Sequence, residues 1–217
     1  MHLTIIIPAH NEEKTLKEVV KRTHEVFADE EHEIIIVDDG SEQIVQSSTL
    51  HNLLVLRHDK NYGKGRAIRT GLGRASGEYI AIQDADLEYD PRELYKLWQM
   101  VKNGKEVIYG KRAGTEGYLL ARLANKFISF VCNFLYQSSL SDIYTCYKII
   151  PSKLMKSLDL QSEGFEIEAE ITAKILKRKI NIMEIPIVYT PRTYGEGKHI
   201  KWKDGFKGIW ALLKNRF

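Results

Sequence analysis

Cysteine is scarce in this 217-residue chain, with Cys132 and Cys146 its only two. That rules out a framework of spaced disulfide pairs or a cysteine metal cluster, and it points to free thiols in a reducing compartment. Charge imbalance is also missing. A formal net charge of +3 is too small to mark a nucleic-acid binder, so no nucleic-acid partner is expected. Long apolar runs are absent as well. The best membrane candidate, 118–136, is interrupted by Arg122, Asn125, Lys126 and Asn133 and falls short of the ~18 uninterrupted apolar residues of a spanning helix. The apolar start Leu3 to Ile7 is too short for a secretory leader and runs straight into a strand, so export is not expected. No repeat, low-complexity tract or linker divides the chain.

What is present fits one globular domain, 1–217, with an ample core: 43% of residues are hydrophobic and 28% charged. Residues 3–7 predict a strand ended by Pro8. Asn11 offers a cap for a helix carrying Leu16, Val19, Val20, Thr23 and Phe27 at helical spacing. Glu33 to Val37, Leu53 to Leu56 and Tyr79 to Gln83 predict three further strands, with a helix from the Asn61–Gly65 loop through about Arg74. Pro91 to Lys102, 118–136, Gly164 to Lys177 and Lys203 to Phe217 predict helices. Val107 to Tyr109, Tyr144 to Ile150 and Ile180 to Tyr189 predict strands. Continuous apolar strands alternating with amphipathic helices imply an α/β fold, a mainly parallel sheet covered on both faces. Ligands of such sheets bind beyond the carboxyl ends of the strands. The polar loops Pro8–Glu12, Asp38–Ser41, Asn61–Gly65 and Asp84–Glu88 all belong at that end.

The last of these loops carries the strongest chemical signal. Asp84, Asp86 and Glu88 place carboxylates at alternate positions just past a buried strand. Such groups repel one another unless a cation compensates them, which suggests a hard divalent ion such as Mg²⁺ or Mn²⁺. A solvated acidic turn is the plainer reading of the triplet taken alone.

Together, Pro8-Ala9-His10-Asn11-Glu12, Val37-Asp38-Asp39-Gly40-Ser41, Asn61-x-Gly63-Lys64-Gly65-x-Ala67, Asp84-Ala85-Asp86 and Arg192-x-Tyr194-Gly195-Glu196-x-Lys198 resemble the family 2 glycosyltransferases. Within that family they are most similar to the polyprenyl-phosphate glycosyltransferases, which include dolichyl-phosphate mannose synthases. The resemblance implies a GT-A (Rossmann-like) fold, a GDP- or UDP-hexose donor, a divalent metal and inversion at the anomeric carbon. It implies that Pro8, His10, Glu12, Val37 and Asp39 hold the nucleoside. Asp84, Ala85 and Asp86 would bind the metal-diphosphate, with Glu88 a further metal ligand. Arg112, Arg192 and Lys198 would serve donor or acceptor phosphates, and Asp142 and Glu170 match recurring acids without an assigned role. His10 stands where relatives often carry tyrosine, and Thr145-Cys146-Tyr147-Lys148 replaces a Gly/Ser-Phe-Arg pattern. The paired C-terminal membrane helices of some relatives have no counterpart before Phe217.

Acceptor type changes what the chemistry requires. A sugar hydroxyl needs a positioned base, whereas a lipid phosphate is already anionic and needs cations to sit beside another anion. Arg112, Arg192 and Lys198 favour the polyprenyl phosphate, while Asp142, Glu168 and Glu170 keep a glycan hydroxyl acceptor open. Trp202, Phe206, Ile209, Trp210, Leu213 and Phe217 lie among Lys203, Lys207, Lys214 and Arg216. That pattern makes 201–217, with 118–136, a candidate membrane-interface helix. The expected setting is peripheral on the cytoplasmic face of a membrane, and a membrane partner subunit is compatible with it. The competing reading of both helices is that their apolar faces pack on the core. A rival from another class is a receiver-like Mg²⁺-binding domain, which phosphorylation at Asp38 or Asp39 without nucleotide-sugar binding would reveal.

Overall fold

The computed structural model describes residues 1–43, 51–104, 106–113, 119–192 and 202–217, apart from the side chains of 119, 120, 202 and 203. Lys198 and the Trp202 side chain therefore lie outside the described residues. The strands are β1 Leu3–Ala9, β2 His32–Asp38, β3 Leu53–Arg57, β4 Tyr79–Ile82, β5 Ile108–Arg112, β6 Lys148–Pro151 and β7 Met183–Ile187. The helices are α1 Glu13–Val26, α2 Lys64–Arg74, α3 Pro91–Lys102, α4 Leu119–Tyr136, α5 Ser152–Ser157, α6 Ile167–Lys177 and α7 Trp202–Arg216. The strands form one sheet in the order β3-β2-β1-β4-β6-β5-β7. β6 runs antiparallel to both neighbours and the other pairings are parallel. Ile5, Ile6, Ile7, Ile34, Ile35 and Val37 are fully buried, as two-sided cover of a parallel sheet requires.

Four expectations need correction. Pro8 does not end β1, which continues to Ala9. Ile6 and Pro8 turn their backbone polar groups toward β4, but that pairing stops at Ile6 and Ile82, so the missing N–H of Pro8 leaves no ladder bond unmade. Asn11 does not cap α1. It sits at φ 55°, and its side-chain oxygen accepts the Glu42 N–H at 2.9 Å, tying the β1 loop to the β2 loop. β5 extends through Arg112 because it pairs along β7, and Gly110 makes room for Ile187, which a Cβ there would meet at 2.7 Å. Of the predicted strand 144–150 only the end pairs, since 144–147 bends toward the β4 carboxyl end instead.

Candidate active site

The sheet order turns between β1 and β4, so the loops after β1, β2 and β4 meet at the carboxyl edge. A cavity of about 370 Å³ opens there, lined among others by Pro8, His10, Glu12, Asp39, Lys64, Asp84, Asp86, Glu88 and Arg192. All four polar loops picked out in the sequence contribute to it. That size suits a small-molecule ligand.

Each loop is held by its own polar contacts. Asp38 accepts the Ser41 N–H at 2.9 Å and pairs with Arg57 at 2.7 Å. Asp39 accepts the N–H of Tyr62 at 3.0 Å and of Gly63 at 2.6 Å, and it lies 2.6 Å from His58 Nδ1. Its carboxylate therefore fixes the third loop from the end of the second. His10 Nδ1 lies 2.9 Å from the Asp39 carbonyl oxygen, which sets the ring at the cavity rim. Gly63, at φ 101°, and Gly65 would each place a Cβ 2.5 Å from a backbone oxygen of Glu163 or Ser162. Only glycine allows α2 to approach 162–164 so closely, and that approach carries Lys64 to the acidic loop.

The acidic loop is braced from several sides. The Thr15 hydroxyl donates to the Ala85 carbonyl at 2.9 Å, and Asp86 accepts the Glu88 N–H at 3.0 Å. Lys64 Nζ lies 2.8 Å from Asp84 and 3.0 Å from Glu168. Glu168 in turn pairs with the fully buried Lys148 at 2.5 Å. Arg192 forks onto Glu12 at 3.0 and 2.9 Å and reaches Asp86 at 2.8 Å, while its backbone N–H donates to Glu88 at 2.7 Å. Burial works against ionisation of Asp84, but the Lys64 ammonium outweighs it and holds the carboxyl below the usual range. Asp86 behaves oppositely. Burial, then repulsion from Asp84 and Glu88, pushes it up to about 7 despite Arg192. The cluster is thus short of positive charge, and Arg192 Nε is a buried donor without an acceptor among the described residues. Asp86, whose hard carboxylate oxygens are short of a counter-ion, fits Mg²⁺ or Mn²⁺ with Asp84 beside it.

Three residues that the resemblance assigns to ligands have other contacts here. Glu88 does not point to a shared ligand position, because its oxygens accept from the Tyr189 hydroxyl at 2.6 Å and the Arg192 N–H. Among the described residues no three acidic, histidine or cysteine side chains converge on a metal position. Val37 is fully buried within β2, outside the cavity lining, so its side chain packs the sheet beneath the site. Arg112 is engaged by Asp142, at 2.7 Å to each carboxylate oxygen, and stacks on the Tyr189 ring at 5.1 Å. It braces Tyr189, and through it Glu88, instead of lining the cavity. The paired guanidinium holds the Asp142 carboxyl below its usual range against the effect of burial. Glu170 accepts the N–H groups of Gln161 and Ser162 and pairs with Lys174 at 2.6 Å.

The pairing of Lys64, Glu168 and Lys148 is the part of the site that the sequence does not show. The Gly-Lys-Gly loop was visible, but no periodicity connects Lys64 to acids twenty and a hundred residues further on.

The two candidate interface helices lie side by side, with the Tyr136 hydroxyl donating to the Leu212 carbonyl at 2.7 Å. α4 is apolar on two faces. Ile128, Cys132 and Tyr136 are buried, while Leu123, Phe127, Phe130 and Phe134 form an opposite stripe that is 52–78% exposed. Phe206 and Trp210 of α7 are exposed as well. Core packing therefore accounts for one face of each helix and leaves the other uncovered. Among the described residues, no helix is long and apolar enough to cross a membrane.

A mainly parallel sheet with an acidic cluster at its switch point is the arrangement of a GT-A nucleotide-sugar enzyme. Residues 4–158 match the Glycosyl transferase family 2 model, and the chain belongs to that family. It is 28% identical to a dolichol-phosphate mannosyltransferase of Pyrococcus furiosus, over 99% of this chain and 64% of that protein. It is 27% identical to an undecaprenyl-phosphate 4-deoxy-4-formamido-L-arabinose transferase of Photorhabdus laumondii, over 91% of this chain and 62% of that one. The chain thus spans less than two thirds of these relatives' lengths. The fold matches glucosyl-3-phosphoglycerate synthase of Mycobacterium tuberculosis, solved with Mn²⁺, UDP and phosphoglyceric acid, with a TM-score of 0.77 at 18% identity, over 99% of this chain and 78% of that one.

Proposed function

We propose that residues 1–217 act as one GT-A domain that moves a hexose from a GDP- or UDP-sugar to a polyprenyl phosphate, with inversion, at the cytoplasmic face of a membrane. The observation that carries this reading is the gathering of Glu12, Asp84, Asp86 and Arg192 around one cavity at the carboxyl edge. Two relatives whose names specify dolichol-phosphate and undecaprenyl-phosphate supply the acceptor class.

In this reading Pro8, His10 and Asp39 border the nucleoside, and Asp84 and Asp86 hold a divalent ion. Mg²⁺ or Mn²⁺, when bound, supplies Lewis-acid stabilisation of the charge on the departing diphosphate. Arg192 adds charge-assisted hydrogen bonds, for which its Nε is still available. Lys198, which lies outside the described residues, is assigned to a phosphate by the family resemblance alone. An acceptor phosphate needs no base, and three acids that the sequence offered for a hydroxyl are engaged: Asp142 by Arg112, Glu168 by two lysines and Glu170 by Lys174. The exposed stripe Leu123, Phe127, Phe130 and Phe134 of α4, together with the exposed Phe206 and Trp210 of α7, gives a lipid-chain acceptor apolar surface to approach along, with Lys207 and Lys214 suited to anionic headgroups.

A glycan hydroxyl acceptor is the second reading. Asp86, with its carboxyl near 7, is the observation that favours it, because a base poised there could take the acceptor's proton.

Thermal unfolding across GDP- and UDP-sugars, with and without Mn²⁺, tests the donor half. The expected result is Mn²⁺-dependent stabilisation by one nucleotide class. Indifference to every nucleotide would remove the enzyme reading.

A further inference from the structure

Among the described residues, the lysine and the arginine that line the cavity are bound to the carboxylates that the metal reading needs. Lys64 sits 2.8 Å from Asp84, and Arg192 sits 2.8 Å from Asp86. Neither is fixed there by a single partner. Lys64 is also held by Glu168 at 3.0 Å, and one Arg192 nitrogen bonds Glu12 alone, so each could release its aspartate and stay in the cavity. Both also suit a second anion. The Lys64 ammonium is a mobile point charge on a four-carbon stem, and Arg192 Nε is a buried N–H without an acceptor among the described residues.

We propose that Lys64 and Arg192 are built-in counter-ions that compete with the divalent metal for Asp84 and Asp86, and that a nucleoside diphosphate, by drawing both cations to its phosphates, opens the carboxylates to the metal. The idea rests on the donor reading above and adds an order to it. Metal alone binds weakly, and metal and nucleotide each raise the other's affinity by the same factor, as linkage demands. Glu12 and Glu168 are the positioning residues that keep the released cations within reach.

The test uses the 217-residue chain, with Mn²⁺ binding followed by electron paramagnetic resonance without nucleotide, and UDP and GDP binding followed separately at saturating Mn²⁺. Lys64→Gln and Arg192→Gln should each bind Mn²⁺ alone about tenfold more tightly than wild type, within the usual range of coupling between sites. Each should bind the nucleotide more weakly. These opposite signs are the signature, because a merely structural role would weaken both. Should Arg192→Gln fail to fold, Lys64→Gln carries the same pair of readings. Unchanged or weaker Mn²⁺ binding in a folded Lys64→Gln protein, while wild type still binds Mn²⁺ and nucleotide together, overturns the counter-ion role alone. Wild type that binds Mn²⁺ with neither nucleotide overturns the donor reading and this proposal with it.

Discussion

The amino-terminal and carboxyl-terminal halves build the same site by different means. From β1 to β4 each parallel strand delivers its following loop to one edge, so topology alone brings His10, Asp39, Asp84 and Asp86 together. From β5 onward the sheet includes the antiparallel β6, and the contribution comes through charge: Lys148 supports Glu168, Glu168 supports Lys64, and Arg192 joins Glu12 to Asp86. The first half supplies the acids and most of the cavity wall. The second supplies much of what makes those acids tolerable in a buried place.

If that division holds, damage to the second half should appear first as instability and damage to the first half as lost chemistry. The largest effect is expected from Lys148→Met, which leaves Glu168 as a buried acid with only Lys64 for company. Chemical denaturation should report a loss of about 3–5 kcal/mol, the usual result of breaking a buried pair from one side. Asp86→Asn should do the reverse, lowering sugar transfer by about 10²–10³ while the melting temperature holds or rises, because a poorly compensated charge has been removed. Arg112→Met falls between them. Part of its guanidinium is open to solvent, so about 2 kcal/mol of stability should go, and transfer should follow the folded fraction. Phe130→Glu with Phe134→Glu should leave stability within about 0.5 kcal/mol of wild type. The same pair should lower partitioning onto anionic vesicles by at least about tenfold, measured by sedimentation.

One further expected effect depends on pH. Asp86 has a folded pKa raised from 3.8 to about 7, so its neutral form is the one the fold favours. The stability it contributes is full below pH ~4 and is lost as pH rises toward about 7. In chelator-treated protein the melting temperature of wild type should therefore fall relative to Asp86→Asn across that interval. A constant difference would show that Asp86 is not under-compensated.

The same contrast explains what was legible in the sequence. Ile34 to Val37 and Tyr79 to Ile82 declare buried parallel strands by being apolar throughout, and the polar residues after each strand must then share an edge. The acidic loop and Arg192 could be recognised from residue type and order. Lys148 could not be: a lysine in an apolar run reads as an interruption until Glu168 is seen 2.5 Å away. Arg112 matches a phosphate-binding position by resemblance, and the sequence does not show that Asp142, thirty residues on, engages it. Asn11 looked like a helix cap, but a left-handed backbone turned its side chain toward Glu42. Strand and loop order follow from local pattern, whereas the pairing of buried charges is set by contacts across the fold.

The most direct test of the account is transfer of a labelled hexose from GDP- or UDP-sugars, in Mn²⁺, offered at once to a short polyprenyl phosphate and to a glycan hydroxyl acceptor. A labelled sugar on the lipid phosphate, lost in Asp86→Asn, is the predicted result. Label on the glycan alone would transfer the site to hydroxyl chemistry with Asp86 as base, and no consumption of any donor would contradict the account at its centre.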